Sequence, residues 1–245
     1  KHPSFKKELN EEILPYYFQF GYIPEPYSIF KNCYKLKAGH YLEYNLQDSI
    51  FKITKYWDIF DFCNKAPIDK SENEILEDIE KILDDTIDLN MVSDVPVGVF
   101  LSGGYDSSLV SSILTKKQGK KINTFTIGFN NREYNEAQHA RKIASYLGTN
   151  HSEYYIQDKD MLDLVEDLPF YYDEPFGDSS ALPTIVVSKM ARKKVTVVLS
   201  ADGGDEAFCG YSKYFFLNKF ADTFSHKMKR QIIRVALNLI SDTTV

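Results

Sequence analysis

Cysteine is scarce: Cys33, Cys63 and Cys209 are the only three in a chain of 245 residues. They are odd in number and far apart, which excludes the disulfide framework that staples small secreted domains. No Cys or His pair stands at metal-ligand spacing, and the five histidines (His2, His40, His139, His151, His226) are dispersed. A structural zinc is therefore not expected. Positive charge is not in excess either. Lys+Arg 29 against Asp+Glu 35 leaves a formal net charge of −6 and a pI near 5.4. That argues against a nucleic-acid binder working through bulk charge and against attachment to an anionic membrane surface. A local anion pocket remains compatible with it. Behind Lys1, Lys6 and Lys7 there is no apolar stretch of signal-peptide type, and nowhere is there an apolar run of membrane length. The chain reads as cytoplasmic. Internal repeats and low-complexity tracts are also missing.

What is present is an ordinary globular balance, 43% hydrophobic and 26% charged. At roughly 1.6 average domains by length, the chain can bury a sizeable core without staples. It begins with Lys1, not Met, so a piece of a longer protein is expected.

Residues 14–57 are rich in aromatics and turn formers. Tyr16, Tyr17, Phe18 and Phe20 precede Gly21, followed by Pro24, Pro26 and Gly39, with strand-like stretches at His40–Tyr44 and Phe51–Trp57. This pattern predicts short strands and turns on the flank of a main domain, with the aromatics as filler. Residues 61–70 form a polar joint, so the expected division is 1–70 and 71–245. Ser71 and Glu74 make a capping box, and Ile75, Ile79, Ile82, Leu83 and Ile87 follow at helical spacing.

The period then changes. Val95–Leu101 suits a strand buried on both faces, and Ser107–Lys117 carries a helical stripe of Leu109, Val110, Ile113 and Leu114. Ile122–Phe129 reads as a strand, Asn135–Leu147 as a helix capped by Asn135, and Glu153–Ile156 as a strand. Helices are expected at Asp160–Leu168 and Ala181–Lys193, a strand at Val195–Ser200, and an amphipathic helix at Ser225–Ile240. Strand–helix alternation with short buried strands predicts an α/β fold: an open parallel sheet with helices on both faces and a small β-rich N-terminal extension. Ligands of such sheets bind beyond the carboxyl ends of the strands, where the winding reverses.

Two strands end in turns rich in glycine and aspartate. The first reads GVFLSGGYDSS over 98–108, the second VLSADGGDE over 198–206. Gly103 and Gly104 allow backbone N–H groups to approach an anion, while Ser102, Ser107 and Ser108 add hydroxyls. The following helix turns its positive end toward the same place. Such a cradle suits pyrophosphate or nucleotide phosphates. It is not a Walker A loop, because no Gly-Lys-Ser/Thr follows, and the third glycine of a dinucleotide fingerprint is missing. A plain strand–helix turn needs one glycine and no carboxylate. Asp106 is the informative residue: a carboxylate inside an anion cradle repels phosphate unless a cation lies between, which implies Mg²⁺. Asp205 closes the second turn in the same manner. If the two strands are neighbours, the aspartates face one crevice and can share a Mg-pyrophosphate.

SGGYDSS resembles the pyrophosphate loop of the N-type ATP-pyrophosphatases. Four blocks extend the resemblance to the synthetase domain of the asparagine synthetase family: GVFLSGGYDSS, FTIGFNNREYNEAQHARKIASYLGTNH, DEPFGDSSALP and VVLSADGGDEAFCGYSKY. They span residues 95–214 in the family's order, and residues 14–57 resemble the segment that follows the family's upstream glutaminase. The resemblance implies a Rossmann-like, adenine nucleotide alpha hydrolase-like fold and an ATP-dependent amide-forming ligase. In that reaction a substrate carboxylate, aspartate or a related acid, attacks the α-phosphorus of ATP. Pyrophosphate leaves, and ammonia displaces AMP from the acyl-adenylate.

Carried over residue by residue, Ser102, Gly103, Gly104, Asp106 and Ser107 would cradle pyrophosphate, and Asp106 and Asp205 would hold Mg²⁺. Ile127 and Ser200 would border the adenosine, and Asp202 stands where the family has an acidic residue near the adenylate. Three positions depart from the pattern: Ala201 and Cys209 replace Gly, and Asn135 replaces Asp. Of these, Ala201 is expected to matter if its turn needs positive φ. No N-terminal catalytic Cys is present and the family's downstream lysine segment is not reached. The chain is thus expected to lack a glutaminase, to take ammonia from an upstream domain, and to bind nucleotide better than it turns over. A homodimer stays open. Two alternatives also stand: a ligase in the β-lactam synthetase manner using an internal amine, and a non-catalytic nucleotide-binding module. Glu174 and Asp178 fit a site-flanking loop or a solvated acidic turn equally well.

Overall fold

A computed structural model describes residues 4–63, 65–118, 122–130 and 135–216. In the N-terminal extension, helix α1 (Leu14–Phe20) is followed by a hairpin of β1 (His40–Tyr44) and β2 (Phe51–Lys55), paired antiparallel with His40 opposite Lys55. The two strands match the expected ones. The aromatic run before Gly21 does not extend as strand; it is helical. Pro15 lies in its first turn and Gly21 closes it in the left-handed conformation (φ 77°), the asymmetric punctuation of a helix. Ile13, Ile23 and Ile29 are buried together, with Leu14, Tyr17 and Phe30 packed around them.

The polar joint opens with the short helix α2 (Phe60–Cys63). Helix α3 (Glu72–Asn90) opens on the capping box read from the sequence, with both the Ser71 and Glu74 side-chain bonds formed. Its stripe is narrower than expected: Ile87 is buried and Leu83 packs beside it, but Ile82 is exposed.

The main sheet holds β3 (Val97–Phe100), β4 (Asn123–Phe129), β5 (Asn150–Ile156) and β6 (Val197–Leu199) in the order β5-β4-β3-β6, all pairs parallel. Helices α4 (Tyr105–Gln118) and α5 (Ala137–Leu147) make the crossovers β3 to β4 and β4 to β5. The chain then passes through α6 (Asp158–Val165), α7 (Leu168–Tyr171) and α8 (Ala181–Ala191), reaches β6 on the other side of β3, and continues into α9 (Gly204–Phe208). The helix expected over 160–168 is split, because Pro169 has no N–H to extend the ladder from α6.

Helices cover both faces, as expected. Val99 packs against Ile113 and Leu114 of α4 and Ile87 of α3, and Leu101 against Ala140 and Ala144 of α5. Phe100 and Phe125 point the other way, onto Val187 and Ala191 of α8. The winding reverses between β3 and β6. That reversal sets two strand-end loops side by side. The amphipathic segment expected at 225–240 lies outside the described residues.

Candidate active site

The two glycine-rich turns do come together. β3 and β6 are direct neighbours, with Val99 opposite Leu199, so the loops after them leave the same edge of the sheet. Helix α4 begins at Tyr105, two residues before the sequence-based start. Asp106 therefore stands in the first turn of a helix, not in the middle of the loop. N–H groups of a first turn have no intrahelical acceptors, so the positive end of α4 opens at the loop.

Ser102 and Ser107 build the loop from inside. The Ser107 hydroxyl accepts from the Ser102 N–H at 3.2 Å and lies 2.9 Å from the Ser102 hydroxyl. The Ser102 hydroxyl in turn accepts from the Gly104 N–H at 3.2 Å, and Ser108 Oγ donates to the Gly104 carbonyl. Ser107 is buried whereas Ser102 is exposed. Ser107 thus shapes the cradle, and Ser102 is the hydroxyl presented at its surface.

The two glycines have different reasons. Gly103 sits at φ 92°, and a Cβ there would lie 2.7 Å from the Ala140 N and 2.9 Å from the His139 Cβ. It is the seat of α5 on the loop. A Cβ at Gly104 would meet only the Ser102 Oγ, at 3.4 Å, so the space beside Gly104 is open to a ligand.

The Asp106 carboxylate is half-buried and lies directly on Gly204, where any Cβ would overlap it. One turn's carboxylate is therefore seated in the other turn. Gly204 was not singled out by its sequence; only its double-glycine setting hinted at the close approach. Asp205 is half-buried, with its carboxylate against Gly210. The neighbouring Glu206 is otherwise engaged. It accepts from the Tyr211 hydroxyl at 2.7 Å, which holds the Glu206 carboxyl below its ordinary range and pushes Tyr211 up to about 12. Asp202 and Ser200 are exposed at the mouth of the turn. Ile127 is half-buried and packs into both clusters beneath α8.

Hard carboxylate oxygens are the kind of donor that Mg²⁺ takes. Asp106 and Asp205 offer hard carboxylate oxygens, and no group of three or more candidate metal ligands exists among the described residues. Magnesium is commonly held that way, by one or two carboxylates plus substrate phosphates.

The glycine replacements resolve in an unexpected order. Ala201 is not among the positive-φ residues, so the turn does not need glycine there. Cys209 is, at φ 58°, where it closes α9 in the left-handed conformation. That region is unfavourable for a residue with a Cβ. Relief of about 1–2 kcal/mol of left-handed strain, against about 0.4–1 kcal/mol for glycine's freedom in the unfolded chain, is expected to make Cys209→Gly more stable by about 0.5–1 kcal/mol net. Thermal unfolding of both proteins measures it, and an unchanged or lower midpoint would show that position 209 carries no strain. Asn135 keeps a capping role one residue earlier than Glu136, the residue that precedes α5: its Oδ1 accepts from the Ala137 N–H at 3.2 Å.

A block further along the chain also reaches this edge. Helix α8 runs against the strands, and Leu182 in its first turn packs on the buried cluster that includes Ile156 at the end of β5, as Phe129 at the end of β4 also does. The acidic loop 173–180 is flanked by Tyr172 and Leu182, and both of these pack on that cluster. Glu174 in that loop is neither solvated nor free: it pairs with Lys35 and accepts from the Ile29 N–H at 3.3 Å.

No helix among the described residues is long and apolar enough to cross a membrane. Residues 78–242 match the asparagine synthase family. Over 226 residues the chain is 41% identical to a candidate glutamine-hydrolysing asparagine synthetase of Methanocaldococcus jannaschii, covering 92% of this chain and 42% of that protein. Over 207 residues it is 31% identical to the glutamine-hydrolysing asparagine synthetase 1 of Bacillus subtilis, covering 84% of this chain and 32% of that one. The chain thus spans 32–42% of these relatives' lengths. Among solved structures, an ammonia-dependent NAD synthetase from Campylobacter jejuni superposes with a TM-score of 0.38 at 18% identity, over 56% of this chain and 60% of that one.

Proposed function

The chain belongs to the asparagine synthase family, and from that premise we propose that it is the ATP-using part of an amide-forming synthetase. The reaction joins a substrate carboxylate to ATP at the α-phosphorus, releases pyrophosphate, and passes the acyl-adenylate to ammonia, which displaces AMP. The observation that carries this reading is the seating of Asp106 on Gly204. It joins the two strand-end turns into one crevice with an open backbone surface at Gly104.

In this reading the Gly104 backbone, the Ser102 hydroxyl and the first turn of α4 receive the departing pyrophosphate. Charge accumulates there as the bond to the α-phosphorus breaks, and each preorganised donor aimed at such charge is typically worth ~3 kcal/mol. Ser107 holds Ser102 in position. Asp106 and Asp205 would hold Mg²⁺, which when bound neutralises charge developing on the phosphates. Ile127 and Ser200 would border the adenosine, and Asp202 would stand near the adenylate. The acceptor acid, aspartate or a relative, would enter from the side of β4 and β5. Ammonia would come from a preceding glutaminase module. Leu42, Tyr44, Phe51 and Ile53, which share one face of the hairpin, are 47–61% exposed, an apolar surface of the kind that adjoins another module.

Exchange of labelled pyrophosphate into ATP tests the reading, measured on the full-length protein with a panel of carboxylates. Exchange that depends on aspartate is the expected result. Exchange only with an amine-bearing acid that then cyclises would move the assignment to the β-lactam synthetase manner. No exchange with any acid, but tight ATP binding, would leave a nucleotide-binding module.

A further inference from the structure

Among the described residues, the N-terminal extension is fastened to the main domain at the acidic loop 173–180. Three contacts make the joint. The Lys35 ammonium pairs with Glu174 and also donates to the Ile23 carbonyl; Glu174 takes the Ile29 N–H with its other oxygen; and the Gly177 N–H donates to the Gly21 carbonyl at 2.7 Å. Ile23 and Ile29 belong to the buried core of the extension, so the clamp is anchored on the most rigid part of that unit. The ion pair is sheltered, with side-chain exposures of 33% for Lys35 and 22% for Glu174. At Gly177 the fit is close: a Cβ would stand 3.1 Å from both the Gly21 Cα and its carbonyl oxygen.

The other end of the loop is fixed to the start of α8. Asp178 accepts from the Ser180 N–H at 2.7 Å, α8 follows at once, and Tyr172 donates its hydroxyl to the Ala181 carbonyl at 3.4 Å. Between these two fixings the loop leaves from and returns to Tyr172 and Leu182, which both pack on the cluster that holds Ile156 at the end of β5. The glycine-rich turns follow β3 and β6. The loop therefore borders the half of the crevice that the pyrophosphate does not use.

We propose that Glu174 is a positioning residue: through its ion pair with Lys35, the N-terminal extension holds the 173–180 loop in the setting that admits the acceptor carboxylate. This rests on the amide-forming reading above. It adds that a structural state of the extension is felt at the acceptor side of the crevice and not at the ATP side. The polar groups that the loop presents there, Asp178, Ser179 and Ser180, are all exposed.

The test uses the full-length protein as Glu174→Gln, Lys35→Met and the conservative Lys35→Arg, with aspartate as the acceptor probe. Two readouts separate the clamp from the chemistry. Amide hydrogen exchange over 173–181 reports the loop whether or not the enzyme turns over, and Glu174→Gln and Lys35→Met should speed it about tenfold. The aspartate dependence of pyrophosphate exchange reports the acceptor side. Its KM should rise about tenfold in both variants, with the KM for ATP and the melting temperature little changed, and Lys35→Arg should stay near wild type. Unaltered hydrogen exchange in Glu174→Gln would overturn the clamp. Faster exchange with an unchanged aspartate KM, or with the ATP KM raised equally, would overturn the positioning role. A wild-type protein that shows no aspartate-dependent exchange would defeat the functional reading instead, and the loop measurement would still decide the clamp.

Discussion

Replacing Asp106 by asparagine is expected to reverse its effect on ATP binding according to whether Mg²⁺ is present. The wild-type carboxylate lies at the entrance of a crevice formed to attract anions, half-buried and pressed against Gly204. With no cation between them, a phosphate charge ~4 Å away is opposed by about 4 kcal/mol at an effective dielectric near 20. In a chelator, then, Asp106→Asn should bind ATP at least as tightly as wild type. In Mg²⁺ it should bind clearly more weakly, and pyrophosphate release should fall by roughly a thousandfold, the scale of losing one strong electrostatic contact to the transition state. The fold should survive. Asp106 stabilises the positive end of α4 by only about 0.3–1 kcal/mol, and the replacement is nearly isosteric. Calorimetric titration of ATP into both proteins under both conditions makes the comparison. Equal weakening with and without Mg²⁺ would mean that Asp106 shapes the turn and holds no cation.

The strands and most of the crossovers were legible because their signals are local. The β-branched runs at 95–101 and 195–200, the capping box at Ser71 and Glu74, and the helical stripe of α4 each report on neighbours within a turn or two. The adjacency of β3 and β6 was legible only as a condition, since strand order depends on the handedness of crossovers and not on any one segment. The helix at 14–20 was missed because the composition of 14–57 as a whole reads as short strands and turns, although Pro15 and Gly21 punctuate a helix. Contacts between distant segments left no trace in the sequence. Nothing local in DEPFGDSS shows that Glu174 meets Lys35, 139 positions earlier. Nor does a double glycine reveal which glycine faces a ligand and which faces a helix. The same limit misplaced the strained position: a departure from a glycine pattern matters only where φ is positive, and that is Cys209, not Ala201.

That distinction between paired glycines yields the sharpest contrast. Gly103→Ala and Gly104→Ala are the same chemical change at adjacent positions, and they should fail in opposite ways. At Gly103 the new methyl group meets the backbone of α5, 2.7 Å from the Ala140 N, in a conformation at φ 92°. Ala140 is fully buried beside Leu101, so the helix has no room to retreat. Left-handed strain of about 1–2 kcal/mol and overpacking of about 1–3 kcal/mol combine to a loss of roughly 2–5 kcal/mol. For a chain of this size that lowers the unfolding midpoint by about 2–4 °C per kcal/mol. At Gly104 φ is not positive, and the methyl group meets only the Ser102 hydroxyl at an ordinary 3.4 Å. Stability should change by less than ~0.5 kcal/mol, as at other uncrowded surface positions. The methyl group would nevertheless occupy the surface offered to pyrophosphate and push the anion off its donors, and affinity for pyrophosphate in Mg²⁺ should drop about a hundredfold, the scale of one donor contact broken. Thermal unfolding and pyrophosphate titration on the two variants together assign the loop. If Gly104→Ala binds pyrophosphate as wild type does, the anion is not received at Gly104, and the cradle must be sought elsewhere along the crevice between β3 and β6.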